Sequence, residues 1–342
     1  MVTPRSFILI FSLSFVAACG PSVAWIDTHT HLEAGPGTGP RSDPAGVVRA
    51  ALAMMERHGL QKILIMPPPS PREQLSSDYE VLSKIVKENP ERFAFLGGGR
   101  SLQPLIQEAI RQKAVTPEIQ RRFEQRAEEI IKAGGAGFGE MTALHLSFVS
   151  GHPFEEAPPD HPLFSLLADI AARHNIPIDL HMEAVVQDIL LPSGFSSPPN
   201  PKTLRENISA FERLLSHNRG ARIVWAHIGW DNTGHMAVPL LRRLLEAHPN
   251  LYMSIKIDQV TPGRSLPENN PLDSFGKLRP EWLELIRSFP NRFVIGTDSM
   301  YGVPRQVDAV TQGPLSLLGQ LPPELAQKVG YENVIQIYHL RK

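Results

Sequence analysis

Two histidines near the start of the chain have a spacing that suits a metal site. His29 and His31 end the segment Asp27-Thr28-His29-Thr30-His31, which follows an apolar run. Residues two apart on a β-strand point to the same face, so both imidazoles can reach one site. An HxH pair alone is weak evidence, because such pairs also arise by chance. Its place directly after an apolar strand gives it weight.

Three more side chains of the metal-binding kinds stand at the ends of apolar runs. They are His181 after residues 176–180, His227 after residues 223–226 and Asp298 after residues 293–297. Imidazoles and a carboxylate together suit Zn²⁺, and they also suit Mn²⁺, Fe²⁺ or Co²⁺. We therefore expect a divalent metal as the cofactor, with zinc as the first choice.

Eight predicted strands must position these side chains. The strands are residues 24–27, 62–66, 93–96, 135–139, 176–180, 222–226, 251–257 and 293–296. Segments of helical periodicity lie between them, which predicts a parallel sheet with alternating helices. We predict an α/β fold, a (β/α)₈ TIM barrel, with a doubly wound open sheet as the alternative. In a barrel, the carboxyl ends of the strands meet at one mouth, where barrel enzymes carry their chemistry.

The intervals between the strands predict the helices. These are residues 43–55, 76–87, 104–133 with a break near Thr116-Pro117, 162–173, 204–215, 238–247 and 280–289, and two or three more within 304–340. The connections 187–202 and 261–277 are rich in Pro, Ser and Asn, which is typical of loops. Both would lie at the mouth of the barrel.

Composition excludes several classes of protein. The chain has 342 residues, a formal net charge of −1 and a single cysteine. Its bulk charge attracts neither nucleic acid nor an anionic membrane surface. One cysteine allows neither an internal disulfide nor a thiolate metal site. We predict one catalytic domain over residues 19–342, and the sequence leaves self-association open.

The first residues predict export. Residues 1–18 combine an early arginine, a short apolar run and small residues, which is typical of a signal peptide. The segment Val16-Ala17-Ala18-Cys19-Gly20 resembles the lipobox of bacterial lipoproteins, which implies lipidation of Cys19. The expected location is the bacterial cell envelope, on its periplasmic or outer face, with membrane contact through the lipid alone. An ordinary cleaved signal is the alternative.

Five segments together resemble the amidohydrolase superfamily of metal-dependent hydrolases, in particular its amidohydrolase-related branch. They are Asp27-Thr28-His29-Thr30-His31, Gly137-Phe138-Gly139-Glu140-Met141, Asp179-Leu180-His181, Trp225-Ala226-His227 and Ile295-Gly296-Thr297-Asp298. The resemblance implies that four residues hold the main metal: His29, His31, His181 and Asp298. It also implies that His227 is a second-metal ligand or a catalytic acid or base.

Glu140 departs from a common pattern of that superfamily. Many members bridge two metals with a carboxylated lysine at the end of strand four, where this chain has Glu140. Its carboxylate is expected to bind or bridge the metal, and the alternative is a hydrogen bond to a ligand histidine. One ion or two therefore fit the sequence.

The resemblance implies an enzyme that uses a metal-activated water to hydrolyse an amide, lactone or ester of a small molecule. Asp298 would accept the proton of that water, and His227 would act as acid or base or stabilise an oxyanion. The alternatives are a non-oxidative decarboxylase of an unsaturated or aromatic carboxylic acid, and a lipid-tethered binding protein without catalysis.

The remaining candidates are expected to contact the substrate, with a solvated surface turn as the alternative for Arg100. Arg100, Glu183, Trp230 and Lys256 are predicted at the catalytic mouth, with Asp231 beside Trp230 as part of one wall. The other histidines have plainer interpretations. Four close predicted helices (His58, His174, His217 and His248). Three lie in predicted loops of the catalytic face and are expected there as surface histidines, with a ligand role as the alternative (His145, His152 and His235).

Overall fold

A computed structural model describes residues 24–32, 44–73, 78–148, 152–257, 269–301 and 311–341. The predicted signal peptide and the predicted lipidation at Cys19 lie outside the described residues. None of the helices within these ranges has the length and apolar character needed to cross a membrane.

Twelve strands are present in the described part of the chain. They are β1 (Trp25–His31), β2 (Leu60–Ile65), β3 (Phe93–Gly98), β4 (Gly137–His145), β5 (Glu155–Glu156), β6 (Pro177–Met182), β7 (Ile189–Leu190), β8 (Thr203–Leu204), β9 (Arg222–Ile228), β10 (Leu251–Ile255), β11 (Phe293–Ile295) and β12 (Ser299–Met300). All eight predicted strands are therefore confirmed, although their ends shift by a few residues.

The main sheet closes on itself through an interrupted eighth strand. Its order is β11-β10-β9-β6-β4-β3-β2-β1-β12, and every pair along this path is parallel. Residues 296–298 separate β11, which pairs with β10, from β12, which pairs with β1. β11 and β12 are therefore two parts of the eighth strand, and through them the two edges of the sheet are joined. The fold is a (β/α)₈ barrel and not the open sheet kept as the alternative.

Helices surround the barrel between its strands. They are α1 (Pro44–His58), α2 (Tyr79–Glu88), α3 (Gln103–Gln112), α4 (Pro117–Lys132), α5 (Pro162–His174), α6 (Ile208–His217), α7 (Val238–Ala247), α8 (Pro280–Ser288), α9 (Gln312–Gln320), α10 (Pro323–Gln327) and α11 (Asn333–Tyr338). One π-helical turn, Lys328–Glu332, joins α10 to α11.

Local chemistry explains where two of these helices begin. The Thr116 side chain accepts a hydrogen bond from the Ile119 amide, and Pro117 follows at the first helical position, so the predicted break before α4 is confirmed. The helix predicted over residues 204–215 begins only at Ile208. Its predicted start was wrong because Leu204 pairs with Ile189 in the small hairpin of β7 and β8.

The barrel interior is apolar at the amino ends of its strands. Buried side chains there include Ile26, Leu64, Leu96, Val224 and Val294. The last turns of the chain pack against them through Val334, Ile337 and Tyr338. The tail thereby closes this end, and the polar side chains of the strands are left for the opposite mouth.

Candidate metal centre and its cavity

Six side chains of metal-binding types meet at the carboxyl end of the barrel. They are His29 and His31 from β1, Glu140 from β4, His181 from β6, His227 from β9 and Asp298 from the break between β11 and β12. All but Asp298 are buried, and its side chain is 22% exposed. The structure thus brings together every predicted metal ligand.

The Glu140 carboxylate lies at the centre of the histidines. Its Oε2 atom is 3.5 Å from His29 Nε2 and 3.5 Å from His31 Nε2. Its Oε1 atom is 2.6 Å from His181 Nδ1 and 3.3 Å from His227 Nε2. Glu140 therefore touches all four imidazoles, which places its carboxylate inside the centre and not behind it.

Asp298 faces the same centre from the eighth strand. Its Oδ1 atom is 3.0 Å from His31 Nε2 and 3.9 Å from His29 Nε2, while Oδ2 is 2.7 Å from Lys256 Nζ. Two triads in this centre have ligand atoms mutually within 4.8 Å: His29, His31 and Asp298, and His29, Glu140 and His227. His181 belongs to neither triad and joins the centre through Glu140.

Backbone conformation at two of these positions is unusual. His227 has φ of 62° and Asp298 has φ of 56°, in the left-handed region that costs an L-residue roughly 1 kcal/mol or more. The Asp298 amide also donates a hydrogen bond to the His29 carbonyl. Such strain is typical of functional positions, because the surrounding structure must enforce it.

A carbonyl oxygen orients His31, and a buried carboxylate lies beside His29. His31 Nδ1 is 2.9 Å from the Met66 carbonyl oxygen, which only accepts, so Nδ1 carries the proton and Nε2 faces the centre. His29 Nδ1 lies 3.1 Å from Oδ1 of the fully buried Asp179. Asp179 was not among the predicted site residues, although it stands two residues before His181 on one strand and therefore shares its face.

Asp27 holds the turn that carries Asp298. It accepts hydrogen bonds from the Thr297 amide at 2.9 Å, from the Thr297 hydroxyl and from the His29 amide at 3.3 Å. Burial raises the pKa of Asp27 to about 6, against the opposing effect of these hydrogen bonds. Asp27 thus orients its neighbours.

The centre attracts cations. Burial lowers the pKa of His181, but its contacts with Glu140 and Glu183 outweigh burial and raise that pKa to about 9. Asp179 and Glu140 likewise raise the pKa of His29 well above its ordinary value, despite its burial. Burial dominates at His227 and lowers its pKa to about 3. The carboxylates therefore draw protons onto two buried imidazoles.

These residues fit a divalent ion. His29 is fully buried, and neither of its ring nitrogens has a hydrogen-bond partner within the described ranges; its 3.1 Å approach to Asp179 lacks hydrogen-bond geometry. Imidazoles and carboxylates are the ligands that Zn²⁺ and Mn²⁺ take in proteins. A divalent ion that replaced the protons on these imidazoles would balance the charge of the same carboxylates.

A cavity of about 610 Å³ opens onto this centre. All four predicted substrate contacts line it: Arg100, Glu183, Trp230 and Lys256. Lys256 Nζ lies 4.7 Å from the centroid of the Trp230 ring, so the two form a cation–π pair beside Asp298. Arg72 also lines the cavity and was missed by the sequence analysis.

Three predictions about the loops need correction. Asp231 does not line the cavity, because it accepts hydrogen bonds from Gly234 and Met236 and so shapes its own loop. His145 and His152 were expected on the surface, but both line the cavity. Their rings are 4.5 Å apart, and the His145 ring is 4.8 Å from that of His181. Strand β4 is longer than predicted and carries His145 to the mouth.

The remaining histidines lie where the sequence placed them. His58, His174 and His217 are the last residues of their helices, and His248 follows α7. His235 is not among the residues that line this cavity. The predicted positions of five histidines outside the metal centre are therefore confirmed, and those of His145 and His152 are not.

A family model of amidohydrolases matches residues 26–340. The chain belongs to the amidohydrolase family. The resemblance on which the sequence analysis relied is thereby confirmed over nearly the whole described chain, and the family is one of enzymes. No curated protein matches this amidohydrolase.

Solved structures share its fold at low sequence identity. A 2,6-dihydroxybenzoate decarboxylase from Rhizobium is 14% identical, with a TM-score of 0.56 over 93% of this chain and 99% of that one. A dihydroxybenzoic acid decarboxylase from a Polaromonas species, solved with bound manganese and 2-nitroresorcinol, is 14% identical, with a TM-score of 0.53 over 93% and 98%. A probable 2-pyrone-4,6-dicarboxylic acid hydrolase from Acinetobacter baumannii is 9% identical, with a TM-score of 0.51 over 92% and 99%.

Proposed function

We propose that this amidohydrolase is a metal-dependent hydrolase that acts on an amide, lactone or ester of a small molecule. The observation that carries the proposal is the convergence of four imidazoles and two carboxylates at the floor of one cavity. His29, His31, His181 and Asp298 would hold the ion, with Glu140 among them. A divalent ion bound there supplies Lewis acidity, which polarises a substrate oxygen and makes water easier to deprotonate.

Asp298 is suited to accept a proton at this centre. Burial alone would raise its pKa, but the Lys256 ammonium and the neighbouring histidines hold that pKa well below its ordinary value. An ionised carboxylate only accepts, and Oδ1 points toward the imidazoles. Asp298 therefore takes the proton of the attacking water and returns it to the leaving group.

Lys256 and His227 assist Asp298 in different ways. Lys256 holds Asp298 Oδ2 at 2.7 Å and so keeps Oδ1 turned to the centre. The pKa of His227 is about 3, so its ring stays neutral and can exchange a hydrogen bond with a substrate oxygen.

The test compares the full chain before and after metal depletion. Esters, γ- and δ-lactones and anilides are assayed with the chelated protein and with protein reloaded with Zn²⁺. We expect one substrate class to be hydrolysed only by the reloaded protein, with a loss of about 10²–10⁴-fold in Asp298→Asn. Asp188→Asn, an exposed carboxylate outside the cavity, should retain activity. Hydrolysis that resists both chelation and Asp298→Asn would contradict the proposal and favour a binding protein.

A decarboxylase is the second candidate, favoured by one observation. Arg72 and Arg100 both line the cavity, and guanidinium groups pair well with carboxylates. Release of CO₂ from aromatic or unsaturated acids, measured with Zn²⁺ or Mn²⁺ loaded, separates the two reactions. CO₂ release without hydrolysis of any ester, lactone or amide would replace the first proposal with this one.

We also propose that the chain is exported and anchored by a lipid on Cys19. The support is the sequence around that residue, which resembles a lipobox. Mass spectrometry of the mature protein tests this. A lipid-modified Cys19 at the N-terminus is expected, and an unmodified N-terminus downstream of it would contradict the anchor.

A further inference from the structure

The cavity combines a polar floor with apolar side chains that the proposed proton transfers do not use. The floor carries the imidazoles and carboxylates of the metal centre. The apolar side chains that line the cavity include Pro68, Phe148, Pro153 and Met300. Apolar surface binds a ligand by removing hydrocarbon from water, so this part of the cavity suits an apolar group.

Phe148 has the most unusual environment of these side chains. It lies in the connection from β4 to β5, lines the cavity and is 43% exposed. Val186, Leu190 and Phe275 are the other exposed large apolar residues in the described ranges, and these three do not line the cavity. Single exposed hydrophobic residues are normal on a protein surface, but an exposed phenyl ring in a cavity offers apolar surface to a ligand.

Two neighbouring rings hold Phe148 in place. The Phe195 ring, from the connection between β7 and β8, lies 5.4 Å from the Phe148 ring, and Phe195 itself packs against the main hydrophobic core. The His152 ring lies 5.6 Å from the Phe148 ring. Ring pairs at such separations attract each other. The Phe148 ring is therefore ordered before a ligand binds, which lowers the entropic cost of binding.

A line of ring contacts joins Phe148 to the metal centre. The Phe148 ring is 6.3 Å from the His145 ring, which in turn is 4.8 Å from the ring of the candidate ligand His181. One imidazole therefore separates Phe148 from the proposed site of bond cleavage. A group attached next to the hydrolysed bond can contact Phe148 while the bond itself stays at the metal centre.

We propose that Phe148 is a specificity-determining residue that binds an apolar group of the substrate next to the hydrolysed bond. The inference rests on the proposed function and adds a substrate class to it: small amides, lactones or esters that carry a hydrocarbon chain or ring. Because Phe148 is continuous with the cavity of the metal centre, the substrate is favoured over a second copy of the chain as its occupant.

Titration calorimetry of the full chain loaded with Zn²⁺ tests this proposal without turnover. The probes are linear hydroxamates from acetohydroxamate to octanohydroxamate, whose two oxygens bind zinc, and 6-hydroxyhexanohydroxamate as an analogue with a polar end. We expect hexanohydroxamate to bind about tenfold tighter than acetohydroxamate, because its methylene groups leave water. The heat-capacity change of binding should become more negative along the series, and the polar-ended analogue should lose most of the gain.

Variants of Phe148 show whether this residue causes the gain. Phe148→Ala should reduce the gain to about twofold or less, whereas Phe148→Leu keeps apolar surface and should retain most of it. Phe275→Ala is the matched control, because Phe275 is 93% exposed outside the cavity, and it should leave the gain unchanged. Phe148→Asn replaces Phe148→Ala if that variant does not fold. A gain that survives the loss of the ring would overturn the proposal.

Zinc content and association state are measured on the same samples. Bound zinc without a gain along the series would contradict the apolar subsite alone, whereas a chain that holds no zinc would contradict the proposed function and the subsite together. A dimer in sedimentation that Phe148→Ala dissociates would assign Phe148 to a contact between copies of the chain. An intact gain without hydrolysis of any substrate would support the subsite and contradict only the proposed reaction.

Discussion

The two ends of the barrel interior are built from the same strands but from opposite kinds of side chain. At the amino ends, Ile26, Val224 and Val294 pack against Ile337 and Tyr338 from the tail. At the carboxyl ends, the side chains that point into the interior are imidazoles and carboxylates. Strands β1, β9 and β11 therefore change from apolar to ionisable within a few residues, from Ile26 to His29, from Val224 to His227 and from Val294 to Asp298.

The two ends therefore contribute differently to the free energy of folding. We call the interior at the amino ends of the strands the lower end and the interior at their carboxyl ends the upper end. The lower end removes apolar surface from water, which stabilises the fold. The upper end buries ionisable groups, leaves the His29 ring nitrogens without hydrogen bonds among the described residues, and holds His227 and Asp298 in left-handed conformations. We infer that the lower end supplies stability for a polar centre at the upper end, so substitutions should separate the two contributions.

The largest expected effect is at the upper end. His29→Ala should abolish metal binding and activity, because it removes a nitrogen shared by both candidate ligand triads. The free energy of unfolding of the metal-free protein should fall, since the buried Asp179 and Glu140 carboxylates lose the imidazolium that compensates them. Elemental analysis and urea unfolding in a chelator measure the two effects. His174→Ala, at a helix end, should retain the metal, and full occupancy in His29→Ala would show that the centre is misplaced.

The lower end should lose stability but keep the metal. Ile337→Ala deletes a buried side chain between the tail and the strands, and should lower the free energy of unfolding by about 2–5 kcal/mol. Metal stoichiometry of the folded protein should not change. Ile335→Ala, only partly buried, serves as the control with a smaller loss. Loss of metal from Ile337→Ala under conditions in which this variant is fully folded would mean that the two ends are coupled.

A buried carboxylate near the upper end gives a pH-dependent effect. Burial raises the pKa of Glu155 to about 7, with Glu140 adding to the rise and the Gln103 hydrogen bond opposing it. The folded protein thus keeps this proton longer than the unfolded chain, so Glu155 lowers stability increasingly as pH rises from about 4.5 through 7. Glu155→Gln should be more stable above pH 7, by on the order of 3 kcal/mol, and equally stable below pH 4.5.

Urea unfolding across that pH range checks this prediction. Glu246→Gln changes an exposed carboxyl group and should follow the wild-type curve. A difference between Glu155→Gln and wild type that does not vary with pH would show that the pKa of Glu155 is the same in the folded and unfolded protein.

The smallest effect is expected away from both ends. His58 is the last residue of α1, and His58→Gln should leave activity within about twofold, because only a helix-end interaction changes. Steady-state rates on whichever substrate is hydrolysed provide the measurement. A tenfold loss would mean that helix-end histidines communicate with the centre.

The sequence predicted the strands and the metal-binding candidates because both follow short-range rules. Alternation and strand ends are local, so His181, His227 and Asp298 could be placed at one mouth before their distances were known. Arg72, His145 and His152 were missed or misplaced because their positions depend on loop paths and on how far β4 extends. Asp179 shares a strand face with His181, and that parity could have revealed it.

The central claim is that one divalent ion site joins strands β1, β4, β6 and β9 with the broken eighth strand. Crystals of the full chain grown with Zn²⁺, measured at the zinc absorption edge, test it most directly. Anomalous density is expected among His29 Nε2, His31 Nε2 and Asp298 Oδ1, with His181 and Glu140 in contact. Density confined to surface histidines, with the barrel mouth empty of metal, would contradict it.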